Sequence, residues 1–250
     1  MMTIRDNVAA IREAISAAAK KSGRNANDIK IIGVTKNFGV EHINELLEAG
    51  ITEIGENRVQ EFLPKYEHFN GDANFITNDD SVFSRKRPKE WHFIGHLQRN
   101  KVRFIADKVD LIHSVDSEPL AVEINKFGEK YDRVINVLIE VNISQESSKF
   151  GIAADEILNF VQKMCKLRFI AVTGLMCVPP FRENAEENRH FFAMLQKKIV
   201  DINKYGLYDR DVKELSMGMS SDFTVAIEEG ATMIRLGTAL LGTRLLNTQQ

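Results

Sequence analysis

The spacing of apolar positions changes from one part of the chain to the next. Near the start, Ile4, Val8, Ile11, Ile15 and Ala18 recur at helical intervals, which predicts an amphipathic N-terminal helix. After residue 30 short β-rich runs alternate with helical stretches. The runs are 31–36 (IIGVTK), 52–57 (TEIGEN), 90–95 (EWHFIG), 111–115 (LIHSV), 135–143 (INVLIEVNI), 169–176 (FIAVTGLM), 214–219 (ELSMGM) and 232–238 (TMIRLGT). Between them lie stretches such as VEHINELLEAG, QRNKVRFIADK, SEPLAVEINKFGEK, ADEILNFVQKMCK and ENRHFFAMLQKKIVDINKYG, several ending in Gly or Lys as helix stops do. The runs are apolar on both parities, as strands covered on both faces should be. Strands that alternate with helices pair in parallel through crossovers.

Eight such units in 250 residues predict a closed (β/α)8 barrel with an extra N-terminal helix, a single domain over 1–250. An open doubly wound sheet is the competing architecture. That fold usually carries a Gly-rich dinucleotide loop after its first strand, and no G-x-G-x-x-G occurs here. Only 70–90 reads as an irregular surface excursion.

Composition narrows the class. Apolar residues make up 44% and charged residues 27%, with 33 Lys+Arg against 35 Asp+Glu. The resulting net charge of −2 offers no basic stripe for nucleic acid. No run approaches the roughly 18 apolar residues of a membrane span. The N-terminus lacks a secretory apolar core, and Asp6 and Glu13 argue against a transit peptide, so a cytoplasmic protein is expected. Cys165 and Cys177 form no metal-ligand spacing and are expected to be buried thiols.

In a barrel, chemistry concentrates where strands end. Lys36 ends the first run and shares parity with Ile32 and Val34; if that parity faces the lumen, its ammonium enters an apolar mouth that favours the neutral, nucleophilic amine. The bland alternative is a strand-end lysine in water. Arg235 sits in an otherwise small or apolar run and needs a partner, either a carboxylate such as Glu140 or Glu56 or an acceptor on a ligand. SMGMSSDFTVAIEEG reads as strand, loop and helix, with Ser220 or Ser221 as N-cap and Asp222 in the first turn. The next strand ends in Gly237 and Thr238, and barrels commonly bind phosphate with the loops after strands seven and eight. Asn57 could bond a ring substituent or cap a turn. His92 could touch a ligand or sit satisfied in the core. His92 and His96 lack the Glu of a helical zinc motif, so no metal is expected. Lys149 reads as a solvated loop lysine.

These residues together resemble one family. VTK at 34–36, GEN at 55–57, WHFIGHLQRNK at 91–101, SKFGI at 148–152, GLM at 174–176, LSMGMSSDF at 215–223 and IRLGT at 234–238 look like the pyridoxal phosphate homeostasis protein family, over about residues 4–244. The resemblance implies a fold type III barrel, like the N-terminal domain of bacterial alanine racemase. It implies pyridoxal phosphate held as a Schiff base on Lys36, a phosphate cradle at Ser220, Gly237 and Thr238 with Ser216 nearby, Arg235 facing the pyridine nitrogen, and Asn57 and His92 lining the cofactor. It also favours a monomer. Thr35 in place of the commoner Ser, and Asn37-Phe38 in place of a segment ending in Pro, depart from the family pattern at the rim.

An arginine at the ring nitrogen disfavours its protonation and weakens the electron sink on which the cofactor's chemistry depends. Racemisation further needs a second acid–base group, and Tyr66, Tyr131, Tyr205 and Tyr208 fall in or near helices. The expectation is therefore a non-catalytic protein that holds the cofactor and transiently passes it to apo-enzymes. An amino-acid racemase is the alternative, and a Schiff-base aldolase on a phosphorylated sugar a third.

Overall fold

The computed structural model describes residues 3–71, 86–146, 149–208 and 211–242. The strands are β1 (Lys30–Val34), β2 (Glu53–Glu56), β3 (Glu90–Phe93), β4 (Leu111–Val115), β5 (Ile135–Asn142), β6 (Ile152–Ala153), β7 (Ile170–Cys177), β8 (Glu214–Ser216) and β9 (Met233–Leu236). All neighbours pair in parallel in the order β4-β3-β2-β1-β9-β8-β7-β5, and β4 also pairs with β5, which closes the sheet into an eight-stranded barrel. The two-residue β6 is an addition beside the end of β5. Most of the expected excursion, residues 72–85, lies outside the described residues.

The helices are α1 (Ile4–Lys21), α2 (Val40–Glu48), α3 (Val59–Asn70), α4 (Val102–Ile105), α5 (Glu118–Lys130), α6 (Ile157–Met164), α7 (Arg189–Lys204), α8 (Phe223–Glu228) and α9 (Thr238–Leu241). The amphipathic start is α1, opened by a capping box in which Thr3 accepts from the Asp6 N–H and Asp6 accepts from the Thr3 N–H. It buries Val8, Ile11, Ile15, Ala18 and Ala19. Asn7 Nδ2 donates to the Leu240 carbonyl and ties α1 to α9. The stretch at 98–108 is shorter than its periodicity suggests: a 3₁₀ turn at Arg99–Lys101 leads into the four-residue α4.

Strand parity divides the interior in two. Ile32, Leu111, Leu138, Met176 and Met233 form a compact cluster in the lumen, whereas Ile31, Ile54, Trp91, Phe93, Ile112, Val137, Ile139, Leu215, Ile234 and Leu236 join the core between barrel and helices. The Ile32 parity therefore faces the lumen. Gly174 is required where β7 meets β8, since a Cβ there would lie 1.9 Å from the Glu214 carbonyl oxygen.

Of the two cysteines, Cys177 meets the expectation of a buried thiol and Cys165 departs from it. Cys177 is buried at the end of β7, and burial pushes its thiol up to about 12. Cys165 is exposed, because it is the C-cap of α6, one position past the buried Met164.

Phe62 on α3 is fully buried against Trp91, ring centroids 5.5 Å apart in a T-shaped arrangement. Phe62→Ala is expected to cost about 3–5 kcal/mol, read as a lower urea midpoint at unchanged m-value.

Candidate functional site: the C-terminal mouth of the barrel

β1 stops at Val34, so Lys36 lies two residues beyond it, in a turn, as an exposed residue rather than the buried end of the strand. It lines an open pocket of about 360 Å³ with Val34, Asn37, Phe38, Gly237, Thr238 and Gly242. Asn37 takes φ 64°, a left-handed conformation that Asn tolerates, and turns the chain back over the mouth. Its N–H donates to Glu61 Oε2 at 2.6 Å.

The turn rests on a buried polar triad. Lys65 Nζ donates to Glu56 Oε1 at 2.6 Å and to the Thr35 carbonyl at 2.8 Å, and the Thr35 hydroxyl donates to the same Glu56 oxygen. Thr35 and Glu56 are fully buried, and burial raises the Glu56 carboxyl against the opposing pull of Lys65. Sequence reasoning misses this triad, although Lys65 occupies the row of α3 that carries Phe62 and Phe69, an unusual place for a lysine without a partner.

On the far side of the pocket the loops after β8 and β9 meet. The Ala239 N–H donates to Ser220 Oγ at 3.1 Å, so Ser220 bridges to the next loop instead of capping its own helix. The N-cap of α8 is Asp222, whose Oδ1 accepts from the Met219 N–H and whose Oδ2 accepts from Asn188. A Cβ on Gly237 would meet only ordinary contacts, the nearest 3.6 Å away, so the protein's own packing does not demand this glycine. What it keeps open is the pocket it lines.

Arg235 is buried beneath this mouth. Neither Glu140 nor Glu56 is its hydrogen-bond partner. Nη1 donates to the Ser216 carbonyl at 2.7 Å and to Ser216 Oγ at 2.6 Å, and Nη2 donates to the Cys177 carbonyl at 2.8 Å. Nε–H and one Nη2 hydrogen have no partner among the described residues. Ser216 therefore supports the guanidinium from inside the lumen. His92 also points into the lumen, where it bonds His113 and Glu90. His96 instead pairs with Asp116 at 3.0 Å and stacks on Phe150, so the two histidines share no site. Asn57 lies just past β2, its Oδ1 buried and unpartnered. A Cβ on Gly95 would come within 2.2 Å of the Asn57 carbonyl oxygen. Lys149 lies 3.0 Å from Glu146 in the loop after β5.

Lys36, Gly237 and Thr238 thus line one pocket, Ser220 braces its wall, and Arg235 with Ser216 lies below. His92 is deeper. Glu140, absent from the sequence-level site, lies on the lumen parity of β5, and its carboxyl is raised to about 7 by burial and by Asp116, against the pull of Arg235. No tyrosine among the described residues lines the pocket.

The chain matches the alanine racemase N-terminal domain family over residues 6–245. It is 40% identical over 239 residues to a pyridoxal phosphate homeostasis protein of Aquifex aeolicus, covering 96% of this chain and 97% of that one. A crystal structure of an unknown protein from Bifidobacterium adolescentis is similar at 33% identity and TM-score 0.83, covering 95% and 94% of the two chains. PipY of Synechococcus elongatus PCC7942, solved with PLP bound, is similar at 28% identity and TM-score 0.77, covering 96% and 100%.

Glu140 gives a pH-dependent prediction. A carboxyl raised from 4.5 to about 7 in the folded state contributes stability that declines as pH rises through that window. Glu140→Gln should therefore stabilise the fold by about 1–3 kcal/mol at pH 8 and by little at pH 4, compared by urea titration at both. Gly95→Ala should displace Asn57 and lower the melting temperature by several degrees, on the order of 1–2 kcal/mol by calorimetry. With its lumen arginine, its lysine turn and this extent of identity, the chain belongs to the pyridoxal phosphate homeostasis protein family, within the alanine racemase N-terminal domain fold.

Proposed function

We propose that this protein binds pyridoxal 5'-phosphate as a Schiff base on Lys36 and serves intracellular vitamin B6 homeostasis without catalytic turnover. The observation that carries the reading is the pocket itself. It places the Lys36 side chain across from Gly237 and Thr238, with the mouth of the lumen and Arg235 beneath. The donor set fits the group. Gly237 leaves room at the wall, the Asn57 Oδ1 is buried and lacks a partner, and Arg235 retains unpartnered N–H groups after satisfying Ser216 and Cys177.

When bound, the cofactor supplies a reactive aldehyde and an aromatic electron sink. The chain's own residues hold and tune it. Lys36 provides the amine, and its exposure suits reversible attachment from solution. Gly237, Thr238 and Ser220 would take the phosphate end, and Phe38 and Val34 give an apolar wall. Arg235 would face the pyridine nitrogen. Its permanent charge opposes protonation there, which weakens the sink and favours storage over turnover. Ser216 and His92 act from the lumen, through Arg235. The name of the Aquifex relative and the PLP in the PipY structure support the same cofactor. The reading extends to a cytoplasmic monomer that hands the cofactor transiently to apo-enzymes. No helix among the described residues is long and apolar enough to cross a membrane.

Adding pyridoxal phosphate to the purified protein should produce a visible absorption band, and borohydride should then fix one pyridoxyl group on the Lys36 peptide. Lys36→Ala should abolish both. Borohydride-fixed cofactor on another lysine of the parent protein overturns the assignment.

A further inference from the structure

Between Arg235 and the opposite mouth of the barrel, polar side chains form an unbroken series through a lumen that also holds the apolar cluster of Ile32, Leu111, Leu138, Met176 and Met233. Arg235 Nη1 is 2.6 Å from Ser216 Oγ, Ser216 Oγ is 2.9 Å from His113 Nδ1, and His113 Nε2 is 2.9 Å from His92 Nδ1. His92 Nε2 is 3.1 Å from Glu90 Oε2, which also accepts from Lys30 Nζ. Ser216, His92 and His113 are fully buried, and Arg235 is 5% exposed. Glu90 and Lys30 line a separate open pocket at the N-terminal mouth, with Asp110, Arg133 and Glu214.

The two ends set the direction of every bond. A guanidinium only donates and a carboxylate only accepts. Hydrogen bonds from His92 and Lys30 hold the Glu90 carboxyl down at about 2, so it is ionised. Burial, with His92, Arg235 and Lys30 nearby, drives His113 well below the usual histidine range, so it is neutral. One arrangement then satisfies each atom without an added proton. His92 donates from Nε2 to Glu90 and accepts at Nδ1. His113 donates from Nε2 to His92 and accepts at Nδ1 from the Ser216 hydroxyl. Ser216 Oγ then has only lone pairs to offer Arg235. The reverse arrangement either sets a bare His92 Nε2 against the Glu90 carboxylate or adds a proton to His92, and in both cases it leaves the serine hydroxyl without an acceptor in the series.

We propose that His113, His92 and Glu90 are positioning residues for Arg235. They form a one-way hydrogen-bond chain that presents Ser216 Oγ as a pure acceptor, fixes the guanidinium plane, and links the cofactor mouth to the charge pair at the opposite end of the barrel. The chain itself is independent of the proposed function; its effect on a bound cofactor rests on that reading.

The first test uses the 15N-histidine-labelled protein without cofactor. Long-range 1H–15N spectra at neutral pH should show both His92 and His113 protonated at Nε2 and bare at Nδ1. Either ring protonated at Nδ1 overturns the proposal. The second test is Glu90→Gln, which removes the anion at the far mouth without touching the pocket of Lys36. The His113 nitrogen signals should move, and the visible band of the protein loaded with pyridoxal phosphate should shift while borohydride still fixes the group on Lys36. His113→Phe should shift that band the same way and weaken cofactor retention several-fold. Unchanged His113 signals and an unchanged band in Glu90→Gln overturn the coupling, even where its melting temperature falls. A correct tautomer pattern in a parent protein that gains no visible band would leave the chain standing and sink the cofactor reading instead.

Discussion

A guanidinium keeps its charge in any surroundings, and placing one inside a barrel without acceptors would cost several kcal/mol. Arg235 is such a group, and much of the upper lumen is arranged around it. The chain leaves the sheet after Cys177 and after Ser216, at the level of the guanidinium, and the carbonyls of those two residues accept from it. The serine hydroxyl supplies a third acceptor, and it lies within hydrogen-bond distance of the buried His113 in turn. Glu140 and Asp222 add longer-range stabilisation of its charge without bonding to it.

That arrangement separates a buried, hydrogen-bonded interior from an open rim. Below the mouth, Arg235, Ser216, His113, His92 and Glu90 lie within hydrogen-bond distance of one another in series. At the mouth, Lys36 sits in a turn held from behind by Thr35, Glu56 and Lys65, while its own side chain stays accessible. A hydrogen-bonded back and an accessible amine fit the proposed reversible capture of an aldehyde; catalysis demands in addition a water-excluded site and groups placed on both faces of the reacting carbon. Glu140 is a buried acid near the mouth with a raised carboxyl, but the tyrosines among the described residues lie on helices or turns away from the pocket.

Much of the fold was legible because strands buried on both faces read as short apolar runs, and eight of them separated by helical periods leave few ways to close. Lys36, Gly237 and Thr238 were legible as strand-end residues, and Arg235 as a charge in an apolar run. The partners were not. Glu140 and Glu56 were reasonable candidates for Arg235 by charge, yet they lie at different angles round the barrel, and β8 brings Ser216 alongside instead. Ser220 looked like a cap for its own helix and reaches the next loop. His113 shares parity with Leu111 in its strand, which marks it for the lumen, but nothing local indicates which neighbour it would meet 103 residues away.

Local rules act over a few residues: alternation decides which side of a strand a residue faces, and a glycine or an uncharged turn decides where the strand can end. Those rules determined the barrel, its eight strands, and the parity that sends His92, Glu140, Ser216 and Arg235 inward. Which inward residues touch depends on the stagger between neighbouring strands, and that stagger is set only when β4 pairs with β5 and the sheet closes. The hydrogen-bonded series from Lys30 to Arg235 exists because closure brings strands distant in the chain to one level of the lumen, where each buried polar atom must find a partner.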